Sequence, residues 1–223
     1  MGLKPLIDMD ISLYKSCWAG KGDYISTVES CEDFLDWVLG LFPGNPSLFL
    51  SGKNNFRYSI YPDYKANRKD KVKPIQLVNI RDYLIEHRSA IVVDGMEADD
   101  AIGIAQAEDT IIVSGDKDLL QIPGNHFDIK NNQVFQVTEE DATFSFYKQL
   151  LMGDSVDNVD GLTGIGDVKS TKLITGKSKQ EMKEIVQDKY KSEFGDNWFE
   201  IYDRNARLLF IKRTPTSEYY DYF

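Results

Sequence analysis

With 223 residues, 42% of them hydrophobic and 28% charged, the chain is long enough to bury one substantial core and too apolar for wholesale disorder. The formal net charge of −10 argues against a uniformly electropositive, nucleic-acid-binding surface, and the isolated Cys17, Cys31, His87 and His126 argue against a disulfide framework or a zinc site. No apolar run approaches the roughly 18 residues of a membrane span and the first residues lack a secretory pattern, so no membrane association and a cytoplasmic location are expected.

The apolar run Pro5 to Met9 reads as a buried strand whose carboxyl end carries Asp8 and Asp10. A helix from Glu32 to Leu41 leads to a second strand at Leu48 to Ser51. Between Lys53 and Lys73 stand seven basic residues against two acids, a basic segment inside an acidic chain. Pro74 suits the first turn of a helix running to about Glu86, which makes that segment a long connection from strand to helix. Ala90 to Val93 and Thr110 to Ser114 are β-branched runs separated by a helical stretch from Ala98 to Ala107. This alternation predicts βαβ units: an α/β fold with a mainly parallel central sheet flanked by helices, and ligands beyond the carboxyl ends of the strands.

Past the Val134 to Val137 strand the pattern turns helical. Thr138 with Asp141 caps a helix to Met152, and Ser178 with Glu181 forms a capping box for another. The glycine-rich stretch Gly161 to Gly166 lies between them, and the aromatic, acidic end from Thr214 to Phe223 reads as a final strand. Two regions are expected: a core over 1–137 that includes the basic segment 53–73, and a helical region over 138–223 packed on it.

Acids gather where such a fold would hold a ligand. Glu97 and Asp100 share one face at the start of the Ala98 helix, with Asp99 between them. Asp116 and Asp118 follow the Thr110 strand, and Asp154 and Asp157 come later. Each group alone has a plainer reading as helix caps and turns. Taken together, carboxylates at one sheet edge repel one another unless cations neutralise them, and an oxygen-only donor set selects hard ions such as Mg²⁺.

In order along the chain these residues resemble the 5′ nucleases: flap endonucleases, the amino-terminal nuclease domain of bacterial DNA polymerase I and bacteriophage 5′ exonucleases. The resemblance is carried by Met96-Glu97-Ala98-Asp99-Asp100, by Ser114-Gly115-Asp116-Lys117-Asp118, and by Met152 to Asn158 followed by Gly161 to Gly166, which is similar to the family's helix-three-turn-helix at about 150–175. Tyr61 to Arg68 resembles the start of its helical arch. The resemblance implies a PIN-like 5′-nuclease fold and a 5′-to-3′ exonuclease or flap endonuclease that hydrolyses phosphodiester bonds near DNA 5′ ends, flaps or nicks. An RNA–DNA hybrid is a further option, and phage DNA replication or recombination the implied setting. Two Mg²⁺ ions, with Mn²⁺ as substitute, would act about 4 Å apart. K⁺ is an option at the helix-three-turn-helix, and a freestanding monomer is expected.

By the same resemblance Asp8, Glu97, Asp99 and Asp116 would serve the first metal, with Asp100 and Asp118 nearby, and Asp118, Asp154 and Asp157 the second. Lys65 and Arg68 would act on the scissile phosphate. DNA contacts would come from Arg57, Tyr64, Lys65, Arg68, Gly164, Gly166, Lys169 and Lys172, with Tyr64 either stacking on a base or packing inside the arch. One departure stands out: the family's aspartate just after the second strand is replaced here by Ser51-Gly52. Asp10 either compensates for it or caps the helix that follows. Two rival readings are a catalytically degenerate DNA-structure binder and a PIN-type ribonuclease, which would not need the Asp154 to Gly166 element. Thr175-Gly176-Lys177-Ser178 fails as a phosphate loop because Thr171 stands where glycine is required.

Overall fold

The computed structural model describes residues 2–223. Its contacts divide into two units: the first runs through Asn55 and adds Val72–Lys117 and Gly124–Gln136, and the second comprises Phe56–Lys71, Asp118–Pro123 and Val137–Phe223. The sequence reading drew one boundary at 137; by contacts, 56–71 and 118–123 group with the second unit.

In the first unit β1 (Lys4–Asp8) leads into α1 (Met9–Ala19) and α2 (Tyr24–Leu41), then β2 (Ser47–Ser51). After the basic segment come α4 (Leu77–Arg88), β3 (Ile91–Val93), α5 (Ala98–Ala105), β4 (Thr110–Ser114), β5 (Gly124–Asp128) and β6 (Gln133–Val137). The short α3 (Arg57–Ile60) belongs to the second unit. The strands form one sheet in the order β3-β2-β1-β4-β5-β6, and the pairs β2–β3, β1–β2, β1–β4 and β4–β5 are parallel. Strand order reverses between β1 and β4, so the crevice at their carboxyl ends is the switch point where such sheets take ligands.

The sheet is held by apolar side chains of several elements. Ile7, Leu50, Ile111 and Val113 pack with Leu13 and Cys17 of α1, Cys31, Leu35 and Val38 of α2, and Ile80 and Leu84 of α4. Both cysteines are free thiols, and burial pushes that of Cys31 up to about 11. No helix among the described residues is long and apolar enough to cross a membrane.

The second unit is helical: α6 (Glu139–Met152), α7 (Asp167–Ile174), α8 (Lys179–Phe194) and α9 (Trp198–Leu209), with a two-stranded ribbon of β7 (Gly153–Asp154) and β8 (Val159–Asp160). Both capping boxes expected from sequence, Thr138 with Asp141 and Ser178 with Glu181, are formed. Gly153 turns the chain into the ribbon at φ +69°, and a Cβ there would lie 2.2 Å from the Gly161 nitrogen, so only glycine fits. The final strand expected over 214–223 is not formed. Tyr219–Asp221 is a single helical turn, and Phe223 stacks on Phe146 at 4.2 Å while its carbonyl accepts from the Tyr147 hydroxyl. Aromatic residues that suit a strand are used here as a ring cluster instead.

Candidate functional site

In the first unit the carboxyl ends of β1, β2 and β4 bring Asp8, Asp10, Ser51, Ser114 and Asp116 to one edge. Asp8 is buried; one oxygen accepts from the Asp10 N–H (3.1 Å) and the other from the Ser114 hydroxyl (2.8 Å), whose oxygen accepts from the Asp116 N–H (2.9 Å). Asp8 is thus also the N-cap of α1. Burial pushes its carboxyl up to about 7; the charges of Asp10 and Asp116 add to the rise and the Ser114 bond opposes it.

Asp10 does not cap α1. Its carboxylate reaches across to the end of β2, where it accepts from the Ser51 N–H (3.3 and 3.2 Å) and from the Ser51 hydroxyl. The same hydroxyl oxygen accepts from the Ala98 N–H at the start of α5 (3.1 Å), and Arg81 donates to the Ser51 carbonyl (2.6 Å). Ser51 therefore ties three elements to one carboxylate. The next position cannot carry an acid, because a Cβ on Gly52 would lie 2.1 Å from the Val93 carbonyl oxygen.

At the start of α5, Asp100 is fully buried and accepts from the Glu97 N–H (3.2 Å), the capping role open to a first-turn acid. Glu97 and Asp99 are half-buried beside it.

The second unit holds the remaining acids. Asp118 accepts from Gln149 (2.7 Å), which in turn accepts from Gln121 (2.6 Å). Asp154 is buried and accepts from the N–H groups of Val156 (2.8 Å) and Asp157 (3.3 Å), closing the turn between β7 and β8. Asp157 meets the basic segment: the Tyr64 hydroxyl donates to it at 2.7 Å, Lys65 pairs with it at 3.5 Å, and the Arg68 guanidinium pairs with its other oxygen. The glycine turn that follows is open, since a Cβ at Gly164 would meet only the tip of Lys169, and at Gly166 nothing. One of its amides is already used, because Thr163 donates from both N–H and hydroxyl to Glu193.

Residues 28–148, more than half of the chain, match the family model described as the 5′-3′ exonuclease N-terminal resolvase-like domain. The chain belongs to the 5′-3′ exonuclease family.

Among curated relatives of this 5′-3′ exonuclease family member, the 5′-3′ exonuclease of Bacillus subtilis is 33% identical over 146 residues, 55% of this chain and 49% of that protein. DNA polymerase I of Pseudomonas aeruginosa is 31% identical over 140 residues, 54% of this chain and 15% of that one. The chain thus spans about half or less of the length of these relatives. The fold resembles that of the bacteriophage T5 flap endonuclease, solved as a pseudo-enzyme-product complex with DNA and metal ions, with a TM-score of 0.56 at 14% identity over 92% of this chain and 99% of that one.

Several expected site residues take other positions. Arg57, expected on DNA, is 2% exposed and donates to the carbonyls of Leu208 (2.7 Å) and Phe210 (2.6 Å), where it caps the end of α9. Tyr64 is also 2% exposed, so it packs inside the segment and presents no face to a base. Lys65 and Arg68 are turned onto Asp157. Lys169 and Lys172 are exposed on α7, with Lys169 donating to the Gly164 carbonyl (2.9 Å). Among the described residues no three acids stand close enough to hold an ion as they are. The donor chemistry nevertheless fits a hard cation: oxygen ligands only, around an Asp8 carboxyl raised first by burial and then by the charges of Asp10 and Asp116. Gln149 was not singled out from sequence, and Ser51 and Ser114 stood there only as a departure from the family's aspartate and as the start of a motif; a serine closing each of two strands that end among acids was the available signal for their hydrogen bonds.

Proposed function

We propose that the protein is a divalent-metal-dependent 5′-to-3′ exonuclease and flap endonuclease acting on DNA 5′ ends, flaps and nicks. The observation that carries this reading is the buried Asp8 at the sheet's switch point, charged against Asp10 and Asp116 in a family whose solved relative is complexed with DNA and metal ions. Asp8, Glu97, Asp99 and Asp116 would hold one Mg²⁺, with Asp100 fixing the helix that presents two of them. Asp118, Asp154 and Asp157 would serve a second. Bound divalent ions polarise the phosphodiester and neutralise the charge that develops on it. Mn²⁺ has the same oxygen preference and is proposed as a substitute.

The chain's own residues then position and neutralise the DNA. Lys65 and Arg68 supply fixed positive charge for the scissile phosphate. Gly164, Gly166 and the amino end of α7 face open space, with Lys169 and Lys172 nearby, an arrangement that grips a phosphate backbone without reading sequence. A potassium ion at that turn, action on RNA–DNA hybrids, a monomeric state and a cytoplasmic role in phage replication or recombination complete the reading.

Asp10 takes the part of the missing second-strand acid. Its carboxylate lies on Ser51 at the strand end where the family places an aspartate, and Gly52 has no room for one. Asp10→Ala is expected to raise the Mg²⁺ concentration for half-maximal cleavage by about tenfold. A variant with unchanged activity and unchanged Mg²⁺ dependence would remove Asp10 from the site. The function itself is tested by offering 5′-flap, nicked and blunt duplexes with and without Mg²⁺. Single nucleotides mark stepwise exonuclease action and longer fragments mark flap cutting, while no product on any substrate contradicts the proposal.

A further inference from the structure

A cavity of about 240 Å³ that the proposed nuclease does not use lies in the first unit, between α1 and α2. Two helix faces wall it. From α1 come Ser12, Lys15, Ser16 and Ala19, a single stripe at three- and four-residue spacing, and from α2 come Phe34 and Trp37. A stripe that faces a neighbouring helix ordinarily carries apolar side chains that fill the space between them. Here it is small and polar, so the two helices enclose a gap.

Ser12 gives that gap a chemical direction. The residue is 3% exposed and lines the cavity, and its hydroxyl has no hydrogen-bond partner among the described residues, not even the carbonyl one turn back that a helix-interior serine commonly uses. Ser16, one turn on, differs, because its hydroxyl bonds the Cys31 thiol. An unpaired buried hydroxyl is costly enough that a native protein keeps one only for a reason. The facing wall is aromatic: the Phe34 and Trp37 rings lie 6.0 Å apart, Phe127 backs Trp37 at 5.5 Å, and Trp37 keeps 38% of its surface open. At the rim stands the exposed Lys15, and no acid lines the cavity.

We propose that this cavity binds a small planar aromatic anion, with its ring against Trp37 and Phe34, its acidic group on the Lys15 ammonium and a polar ring substituent on the Ser12 hydroxyl. Each part follows from the lining. An aromatic wall favours another ring, a cation with no acid beside it favours an anion, and a hydroxyl can donate to or accept from the substituent. The volume lies below the roughly 300 Å³ at which sites for drug-sized ligands begin, which limits the ligand to one ring system. A pyrimidine mononucleotide and a hydroxylated aromatic acid share this chemistry. The inference needs neither a metal ion nor the nuclease reading.

Nuclear magnetic resonance titration of the ¹⁵N-labelled protein with 4-hydroxybenzoate and, separately, with deoxycytidine monophosphate tests this at the Trp37 indole N–H and the Ser12 amide. At least one probe is expected to give a saturable shift with a midpoint near about 5 mM, the affinity of a ten-atom ligand at ordinary efficiency, and the probe that saturates identifies the source. Lys15→Ala and Ser12→Ala should each weaken that binding about fivefold. Ser12→Ala should also raise the thermal midpoint of the protein by a few degrees, since alanine suits a helix and leaves no hydroxyl unpaired, so its loss of binding cannot be a loss of fold. No saturable shift from either probe by about 20 mM, or a midpoint that is unchanged in either variant, overturns the proposal and leaves ordered water as the partner of Ser12.

Discussion

Asp8→Asn is expected to make the metal-free protein more stable at pH 8 while abolishing its cleavage of DNA. The Asp8 carboxyl titrates near 7 in the folded protein against 3.8 as its ordinary value, because it is buried beside Asp10 and Asp116. Between those values the folded state holds a proton that the unfolded chain has lost. The contribution of Asp8 to stability is therefore fully present below about 4 and is lost as pH rises through about 7. The loss amounts to something on the order of 4 kcal/mol. Asparagine has no charge to bury, so its thermal midpoint should exceed that of the wild type by several degrees at pH 8 without divalent ions, and the difference should shrink toward pH 5.5. Mg²⁺ should raise the wild-type midpoint at pH 8 and leave that of the variant nearly unmoved. Cleavage should fall by about 10³-fold, because the central carboxylate of the first cluster is gone. Equal pH profiles for the two proteins would show that Asp8 carries no such strain.

Arg57→Ala is expected to destabilise the second unit by about 3 to 5 kcal/mol, the cost of stripping a buried charged donor from its partners. Its guanidinium spans the Leu208 and Phe210 carbonyls at the end of α9 and lies 4.6 Å from the Phe56 ring, so removal leaves two buried acceptors bare and a cavity beside them. Arg57→Lys should recover only part of the loss, since an ammonium cannot bridge both carbonyls as the planar fork does. Denaturant unfolding followed by circular dichroism measures this. A surface phosphate contact would behave oppositely, with unchanged stability and a weaker, less salt-dependent affinity for DNA.

The parts of the fold legible in the sequence were those whose local signal agrees with their tertiary setting. Thr110–Ser114 is a strand of β-branched residues buried on both faces, and its limits were read correctly. The helix Glu139–Met152 announced itself through Thr138 and Asp141. By contrast α1 was not delimited, because its buried face includes Ser12 and Ser16 among Met9, Leu13 and Cys17, which breaks the apolar period. Strand β5, Gly-Asn-His-Phe-Asp, lacks the β-branched run of its neighbours and is defined by its pairing with β4. In the site, the acids were visible as residue types at strand ends and helix starts. Their individual duties were not, because capping, pairing and metal binding all draw on the same carboxylates. Asp100 turned out to cap a helix, and Asp10 to bond a serine 41 residues away. Arg57 read as a DNA contact because its charge falls in a basic stretch, while its burial depends on carbonyls more than 150 residues distant.

The central claim, that carboxylates gathered at the sheet edge and in the second unit serve divalent metal ions for phosphodiester hydrolysis, is tested most directly by cleavage of a 5′-flap duplex in Mg²⁺ and in EDTA. The wild type is compared with the Asp116→Ala, Asp118→Ala double variant. The account predicts Mg²⁺-dependent product from the wild type, none in EDTA, and a loss of about 10³-fold in the double variant with flap binding retained. No cleavage by the wild type in Mg²⁺ or Mn²⁺, with flap binding intact, would contradict it and leave a protein that recognises DNA structure without cutting it.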